Sequence, residues 1–163
     1  MNARRSTVAV ILFLAAIAAG AAEPSPVTSV SFFVSARGSD RSRNLSEGDL
    51  RRIFLGEISR WPNGHRIVLY VRSFDSAAGR LFLDRLIRMP DIDYAQWWLG
   101  AVFRGRAAAA PRVMPTPDSM SKAVAANADA IGFDSPQAPD AELLILTVDG
   151  RAPSDPRYPI RAR

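Results

Sequence analysis

The sequence contains no cysteine and only one histidine, and these shortages exclude several kinds of chemistry. Without cysteine there are no disulfides, no thiolate nucleophile, and no cysteine for lipid attachment at a processed N-terminus. With His65 as the single histidine, we find no Ser-His-Asp, Cys-His or multi-histidine metal set. Asp91 and Asp93 are two residues apart, so on a helix they point to different faces and do not form a glycosidase-type carboxylate pair. We therefore predict a protein that is not an enzyme and that uses neither a metal nor a cofactor.

Lysine is almost absent as well, because Lys122 is the single lysine in a chain of net charge +5. The arginines that make up the remaining positive charge are scattered, and no motif typical of DNA or RNA binding interleaves them. Nucleic acid is therefore not an expected partner. A mildly positive field would instead favour the capture of small anions.

The first 22 residues have the organisation of a secretory signal peptide. Arg4 and Arg5 precede an apolar run from Val8 to Ala19, which ends in the small residues of 19–22. The run is shorter than a membrane span needs, although an uncleaved anchor is the alternative interpretation. We expect cleavage after residue 22, a single domain over residues 23–163, and a periplasmic location.

Strand-like and helix-like segments alternate along the rest of the chain, which predicts an α/β fold with a small mixed sheet flanked by helices. The predicted strands are Val27–Val34, Ile67–Val71, Ala130–Phe133 and Glu142–Val148. The predicted helices begin at Ser46, at Asp75 or Ser76, at Asp91 or Asp93, and at Asp118 or Ser119. Asp149-Gly150 is a hairpin-type turn signal, and Tyr158–Ile160 is a candidate edge segment.

The segment 67–88 carries the clearest functional signal. A buried strand ends at Arg72, and a helix with a small-residue start, including Ala77, follows Asp75 and Ser76. Free amides and the positive end of the dipole at such a start favour anions, and an arginine adds a fork of donors. The simpler alternative is an ordinary capped helix in which Arg72 pairs with Asp75.

Several motifs occur in the same order as in one known family, across roughly residues 45 to 160. They are Leu45-Ser46, Ile53-Phe54-Leu55-Gly56, Trp61-Pro62-Asn63-Gly64, Val71-Arg72, Ser76, Phe82, Ala130-Ile131-Gly132-Phe133, Val148-Asp149-Gly150 and Tyr158-Pro159. In these motifs the chain resembles the phosphate-binding proteins of ABC uptake systems. It is most similar to short, single-lobe relatives in the periplasmic-binding-protein-like superfamily.

The resemblance implies an anion held at helix N-termini by an arginine and a Ser-Gly-Thr turn. Carried onto this chain, Arg72 matches the arginine, Asp75 the acid beside it, and Ser76 the serine of the turn. Ala77 and Ala78 stand where glycine and threonine are expected, so one hydroxyl donor is lost. Because the chain is too short for two lobes, this half-site would bury less of its ligand.

Other polar and aromatic residues have weaker claims on a ligand. Ser119 and Ser121 open another predicted helix and would supply a second set of donors, although capping is the competing role of Ser119. Trp61, Trp97 and Trp98 would serve either as a ligand face or as core. His65 lies in a turn and is expected to be exposed.

Two functions follow from these observations. The first is an exported substrate-binding protein for phosphate or a related oxyanion, working with an ABC-transporter component. The alternative is a ligand-free interaction module that docks on an envelope sensor or transporter. A homodimer that pairs two half-sites is a third possibility, and the sequence leaves the oligomeric state open.

Overall fold

The computed structural model describes residues 27–38, 43–136 and 141–162, which form a mixed sheet with helices on both faces. The strands are β1 (Ser31–Ser35), β2 (Asn44–Leu45), β3 (Val68–Arg72), β4 (Arg112–Met114), β5 (Ala130–Asp134), β6 (Leu143–Ile145) and β7 (Thr147–Val148). The helices are α1 (Glu47–Phe54), α2 (Ala77–Phe82), α3 (Asp91–Phe103) and α4 (Pro117–Ala125), and α2 continues into a π-helical turn, Leu83–Ile87. The predicted α/β class with a small mixed sheet is confirmed.

The five-stranded sheet has the order β4-β3-β5-β1-β6, and β2 and β7 form a separate parallel pair. β3, β4 and β5 are parallel, whereas β1 runs antiparallel to both β5 and β6. The carboxyl ends of β3, β4 and β5 therefore lie at one edge of the sheet. Ligands of open α/β sheets bind outside this edge, so the topology directs attention to it.

The larger core lies between the sheet and α1, α2 and α3, and aromatic side chains fill its centre. Phe82 of α2 stacks on Phe133 of β5 with ring centroids 4.2 Å apart, and Phe54 of α1 meets Phe82 edge-on at 5.1 Å. Tyr94 and Trp97 of α3 donate hydrogen bonds to the carbonyl oxygens at the end of α1, at 2.7 and 3.0 Å. These bonds satisfy acceptors that a helix end leaves open, and they fix α3 against α1.

The smaller core lies on the opposite face, where α4 covers the sheet. Met120 and Val124 of α4 are buried against β5 at Gly132. A Cβ at Gly132 would lie 2.6 Å from the Met120 sulfur, so glycine allows the close approach of helix and strand.

Three of the four helices begin at a residue whose side chain caps the helix, and these residues can be compared with the predicted helix starts. Ser46 caps α1 and Ser76 caps α2, as predicted, each accepting from the amide three residues later. The prediction that Asp118 or Ser119 caps α4 is wrong, because Thr116 is the cap and Pro117 is the first helical residue. Proline suits that position because its missing N–H would have no partner there.

Three strand predictions need correction. Val27–Val34 shortens to Ser31–Ser35, because Ser29 and Val30 bond to the C-terminal segment instead of to the sheet. The predicted strand Glu142–Val148 divides into β6 and β7, which belong to different sheets. No strand was predicted between residues 106 and 117, yet β4 lies there and pairs with β3.

The C-terminal segment closes the fold. Asp149 and Gly150 both have positive φ, 50° and 74°, which is the geometry of the predicted hairpin-type turn. Farther along, Ser29 bridges Arg161, and the Val30 amide donates to the Ile160 carbonyl at 3.0 Å. The predicted edge segment Tyr158–Ile160 therefore forms no strand of its own, and its contact with residues 29–30 consists of the Ile160 carbonyl and the neighbouring bridge at Arg161.

The predicted signal peptide lies outside the described residues. Within them, no helix combines the length and apolar character that crossing a membrane requires.

Candidate functional site

Arg72 lies at the carboxyl edge of the sheet, where it forms a buried ion pair with Asp134. Arg72 ends β3 and Asp134 ends β5, and the strand register places them at the same level. The Arg72 Nε and the Asp134 Oδ2 are 3.1 Å apart, and the side chains are 7% and 5% exposed. A second guanidinium nitrogen donates to the Met114 carbonyl at the end of β4, at 3.0 Å. The guanidinium thus connects the ends of all three parallel strands.

The pair is incompletely bonded. The Nε–Oδ2 contact lacks the angle of a hydrogen bond, so both atoms are buried without a hydrogen-bond partner among the described residues. The other Asp134 oxygen accepts from the Ser135 amide at 2.7 Å. Burial raises the pKa of the Asp134 carboxyl above its usual range, and the Ser135 amide and Arg72 offset this only in part.

The start of α2 lies beside this edge but on the other face. Alternation along β3 puts Arg72 on the α4 side with Tyr70, whereas Val71 faces the core that contains α2. The Ser76 hydroxyl donates to the Ser73 carbonyl at 2.5 Å and accepts from the Gly79 amide at 3.0 Å. The Ser76 hydroxyl therefore acts as the helix cap, with its single proton already donated to Ser73, and it makes no hydrogen bond to Arg72.

One backbone donor at this tip is open to solvent. The amides of Ala77 and Ala78 have no acceptor in the described part of the chain, and Ala77 is exposed whereas Ala78 is buried. Amides at a helix start attract anions without needing a side-chain hydroxyl.

Asp75 does not cap α2, because Ser76 does, and it does not pair with Arg72, because Asp134 does. Both of these roles were predicted from the sequence as alternatives to ligand binding, and both are wrong for Asp75. Its carboxylate accepts from the Ser73 hydroxyl, and its carbonyl accepts from the Arg80 side chain. The Ser73 hydrogen bond is the main reason that the pKa of the Asp75 carboxyl is lowered. Asp75 therefore remains charged at neutral pH, and it is fully exposed to solvent.

Ser119 occupies the third position of α4 and is part of a capping box. Its hydroxyl donates to the Thr116 carbonyl at 2.8 Å and accepts from the Thr116 amide at 3.1 Å. Arg72 and Ser119 are not bonded to each other, although both lie near the segment Met114–Thr116. The five predicted site residues thus gather at one edge of the sheet without forming a closed constellation.

The tryptophans belong mainly to the core. Trp61 and Trp98 are buried, and Trp97 is half-buried with its indole N–H on the Leu55 carbonyl. His65 is exposed, as predicted, and its Nδ1 lies 3.0 Å from the Asp129 carboxylate. No group of three or more histidine and carboxylate side chains among residues 27–38, 43–136 and 141–162 is arranged to hold a metal ion.

Asp134 is the residue that sequence reasoning missed. A signal was available, because it directly follows the predicted strand Ala130–Phe133 as Arg72 follows Ile67–Val71. Two oppositely charged residues at the ends of adjacent parallel strands are natural partners. The pairing of these two strands is what the sequence did not reveal.

Comparison with known proteins gives matches in structure but not in sequence. No family model and no curated protein matches the chain. PstS from Borrelia burgdorferi superposes with a TM-score of 0.65 at 18% identity, covering 83% of this chain and 55% of that protein. An ABC-type phosphate transport receptor from Vibrio cholerae gives a TM-score of 0.59 at 16% identity, covering 78% and 48%.

The chain has a periplasmic-binding-protein-like fold. It spans about half the length of the solved proteins that it matches. The periplasmic-binding-protein-like fold predicted from the ordered motifs is therefore confirmed, at a size that fits a single lobe.

Proposed function

We propose that the protein is an exported binding protein for phosphate or a related small oxyanion, and that it works with the membrane component of an ABC transporter. The observation that carries the proposal is Arg72 at the carboxyl edge, beside the starts of α2 and α4. The solved protein from Vibrio cholerae, which shares the fold, is named an ABC-type phosphate transport receptor, and this supports the choice of ligand. The apolar N-terminal run supports export.

An anion at this edge competes with Asp134 for the guanidinium. The Asp134 carboxylate occupies the position beside the guanidinium that an oxyanion needs. A ligand therefore binds either by displacing Asp134 from Arg72 or at the exposed Ala77 amide on the other face of the edge, without contact with the guanidinium. Both routes predict weak binding, because part of the Coulomb attraction is already used within the protein.

The proposal is tested by titrating phosphate and sulfate into the purified protein, followed by calorimetry and thermal shift. Asp134→Asn frees the guanidinium, so we expect tighter phosphate binding than in the wild type. The double variant Arg72→Gln/Asp134→Asn removes both charges of the pair. We expect it to bind phosphate roughly tenfold or more weakly than Asp134→Asn does, since a hydrogen bond to a charged group contributes about 1.5–3 kcal/mol.

Arg66→Gln is the matched control, because it removes one positive charge from the opposite end of β3 and should leave binding unchanged. The absence of heat and of thermal shift at millimolar phosphate, in both the wild type and Asp134→Asn, would exclude the oxyanion function. Even weak binding stabilises a folded protein by mass action, so a silent result is decisive.

The second candidate is an interaction module that has kept the fold without the ligand. The specific observation in its favour is that Asp134 neutralises Arg72 internally, while Ala77 and Ala78 provide no hydroxyl. A stoichiometric partner captured from an envelope extract, together with a silent phosphate titration, would support this function over the first.

A further inference from the structure

Helix α3 carries a line of large apolar side chains on its solvent side. Ile92, Leu99 and Phe103 are 60%, 71% and 90% exposed. Their spacing of seven and then four residues places them on one stripe of the helix, opposite the buried Tyr94 and Trp98. We call Ile92, Leu99 and Phe103 the α3 stripe.

The α3 stripe is larger than scattered surface residues would explain. Three adjoining side chains of this size expose on the order of a few hundred Å² of apolar surface, a patch size that usually marks an interaction site. The helix beneath is held firmly, because its tyrosine and Trp97 are bonded to the end of α1. The stripe is thus a preformed surface.

Two opposite charges border the α3 stripe on the same flank. Asp93 and Arg104 are eleven residues apart, which is close to three whole helical turns, so both lie on nearly the same side of the helix. The Arg104 guanidinium folds back over Gly100. The eleven-residue spacing corresponds to about 16 Å along the axis, too far for Asp93 and Arg104 to pair within one chain. Both residues are exposed, and neither side chain has a hydrogen-bond or ion-pair partner in the described residues.

We propose that the α3 stripe is covered by the same stripe of a second copy, with the two α3 helices antiparallel about a twofold axis. In this arrangement Ile92 packs against the partner's Phe103, and Gln96 against the partner's Leu99. In the same register Asp93 lies about 3 Å along the axis from the partner's Arg104, within reach of the long arginine side chain. The symmetry repeats this ion pair at the other end. In a twofold contact, each residue meets the same partner residue on both sides, so Asp93 of each copy faces Arg104 of the other.

A second copy fits this surface better than a membrane does. Helices that lie on lipid usually carry a basic rim beside their apolar face, whereas Asp91 and Asp93 border the N-terminal end of the stripe. One pair of short helices buries less area than a permanent dimer interface. We therefore expect a reversible dimer with a dissociation constant in the micromolar range.

Sedimentation equilibrium of the purified protein tests self-association. We expect a concentration-dependent dimer in the wild type, and a weakening of roughly tenfold or more in Leu99→Asp, which puts a charge at the centre of the contact. Val113→Asp is the matched control, because Val113 is 53% exposed on β4 and away from the α3 stripe. It should dimerise as the wild type does.

Charge reversal tests the antiparallel register. Asp93→Arg and Arg104→Asp should each weaken the dimer, because each places like charges together. The double variant should recover the wild-type constant, which a merely misfolded single variant would not do. Circular dichroism of the three proteins checks that they are folded.

Disulfide trapping measures the same register directly in a chain that has no cysteine of its own. In the proposed contact the two copies of residue 96 are offset by about 4.5 Å along the axis, and those of residue 92 by about 16 Å. Because a disulfide needs Cα atoms within about 7 Å, Gln96→Cys should give a covalent dimer and Ile92→Cys should not. A protein that stays monomeric at submillimolar concentration, or a double charge variant that fails to recover, overturns the proposal.

Discussion

Arg72 and Asp134 form a buried acid–base pair that is central to both candidate functions. Removing Arg72 leaves the Asp134 carboxylate buried without compensation, which typically costs about 3–5 kcal/mol. Removing both charges together costs much less, because no unpaired charge remains. The pair therefore contributes more to the geometry of the carboxyl edge than to the net stability of the fold.

Asp134 makes the stability depend on pH in a defined direction. Its folded-state pKa is raised by burial, so the folded protein binds this proton more readily than the unfolded chain does. The contribution of Asp134 is therefore fully present below the unfolded pKa and is lost as the pH rises through the raised folded value. We predict that Asp134→Asn destabilises the protein more in the acid range than at neutral pH.

Urea unfolding of the wild type and Asp134→Asn across the acid-to-neutral range checks this sign. Asp75→Asn provides the contrast, because the pKa of that exposed carboxyl is lowered and its contribution is instead lost as the pH falls. A destabilisation by Asp134→Asn that grows with pH would show that the attraction of Arg72 outweighs burial.

The sequence predicted one partner of the buried ion pair, Arg72, and not the other. Arg72 was recognisable because an arginine at the end of an apolar strand is conspicuous. Its partner was not, because Asp134 lies 62 positions later and only strand pairing brings the two together. A charged residue directly after each strand is a local signal, but it does not show which two strands are neighbours.

Helix α2 requires glycine at position 79, where alanine would destabilise the helix instead of stabilising it. Replacing a helical glycine by alanine usually stabilises by up to about 1 kcal/mol. At Gly79, however, a Cβ would lie 2.2 Å from the Ser73 carbonyl oxygen and 2.9 Å from the Phe74 Cα. These are backbone atoms of the turn that feeds α2, so they cannot move aside without disturbing the Ser76 cap.

We predict that Gly79→Ala destabilises the protein by about 1–3 kcal/mol, the typical cost of overpacking. Gly48→Ala is the matched control, since Gly48 is an exposed position of α1 whose added Cβ would meet only the Ser46 hydroxyl at 3.8 Å. It should be neutral or slightly stabilising. Urea unfolding of both variants measures the difference, and equal effects would refute the assigned role of Gly79.

Element boundaries were predictable where a side-chain signal is strong. Ser46 and Ser76 mark their helices correctly because each is a short polar residue before an apolar periodic segment. β4 escaped prediction because three residues are too few to show alternation, and Arg112 and Val113 are exposed. The start of α4 was misplaced by a similar local ambiguity, since Thr116, Asp118 and Ser119 are all good caps.

For the molecule as a whole, the two cores share one sheet and should unfold together. Phe82 belongs to the larger core and Val124 to the smaller one, yet both side chains pack against β5. Loss of either core would expose the same strand to water. The fold therefore has no obvious division into independent units within the described residues.

We predict that Phe82→Ala lowers the free energy of unfolding by about 3–5 kcal/mol, and Val124→Ala by somewhat less. In both variants, tryptophan fluorescence and far-ultraviolet circular dichroism should report a single, coincident transition. Lys122→Ala, on the exposed side of α4, is the control and should change stability little. Separate transitions for the two probes in Val124→Ala would show that the smaller core melts independently.

The strand order was the largest feature that sequence reasoning could not supply. Alternating strands and helices predict the class, but β1 enters between β5 and β6 and runs against both. Its apolar sequence fits any central position equally well. The position is set by the whole set of pairings, which no single segment encodes.

The pairing of residues 29–30 with residues 160–161 brings the first and last described segments side by side. The two ends of the described chain therefore lie next to each other in space. A tag or an additional domain joined directly before residue 27 or directly after residue 162 would therefore emerge from the same corner of the molecule. Joining that corner with a short linker and opening the chain at a surface turn is the rearrangement that this geometry tolerates best.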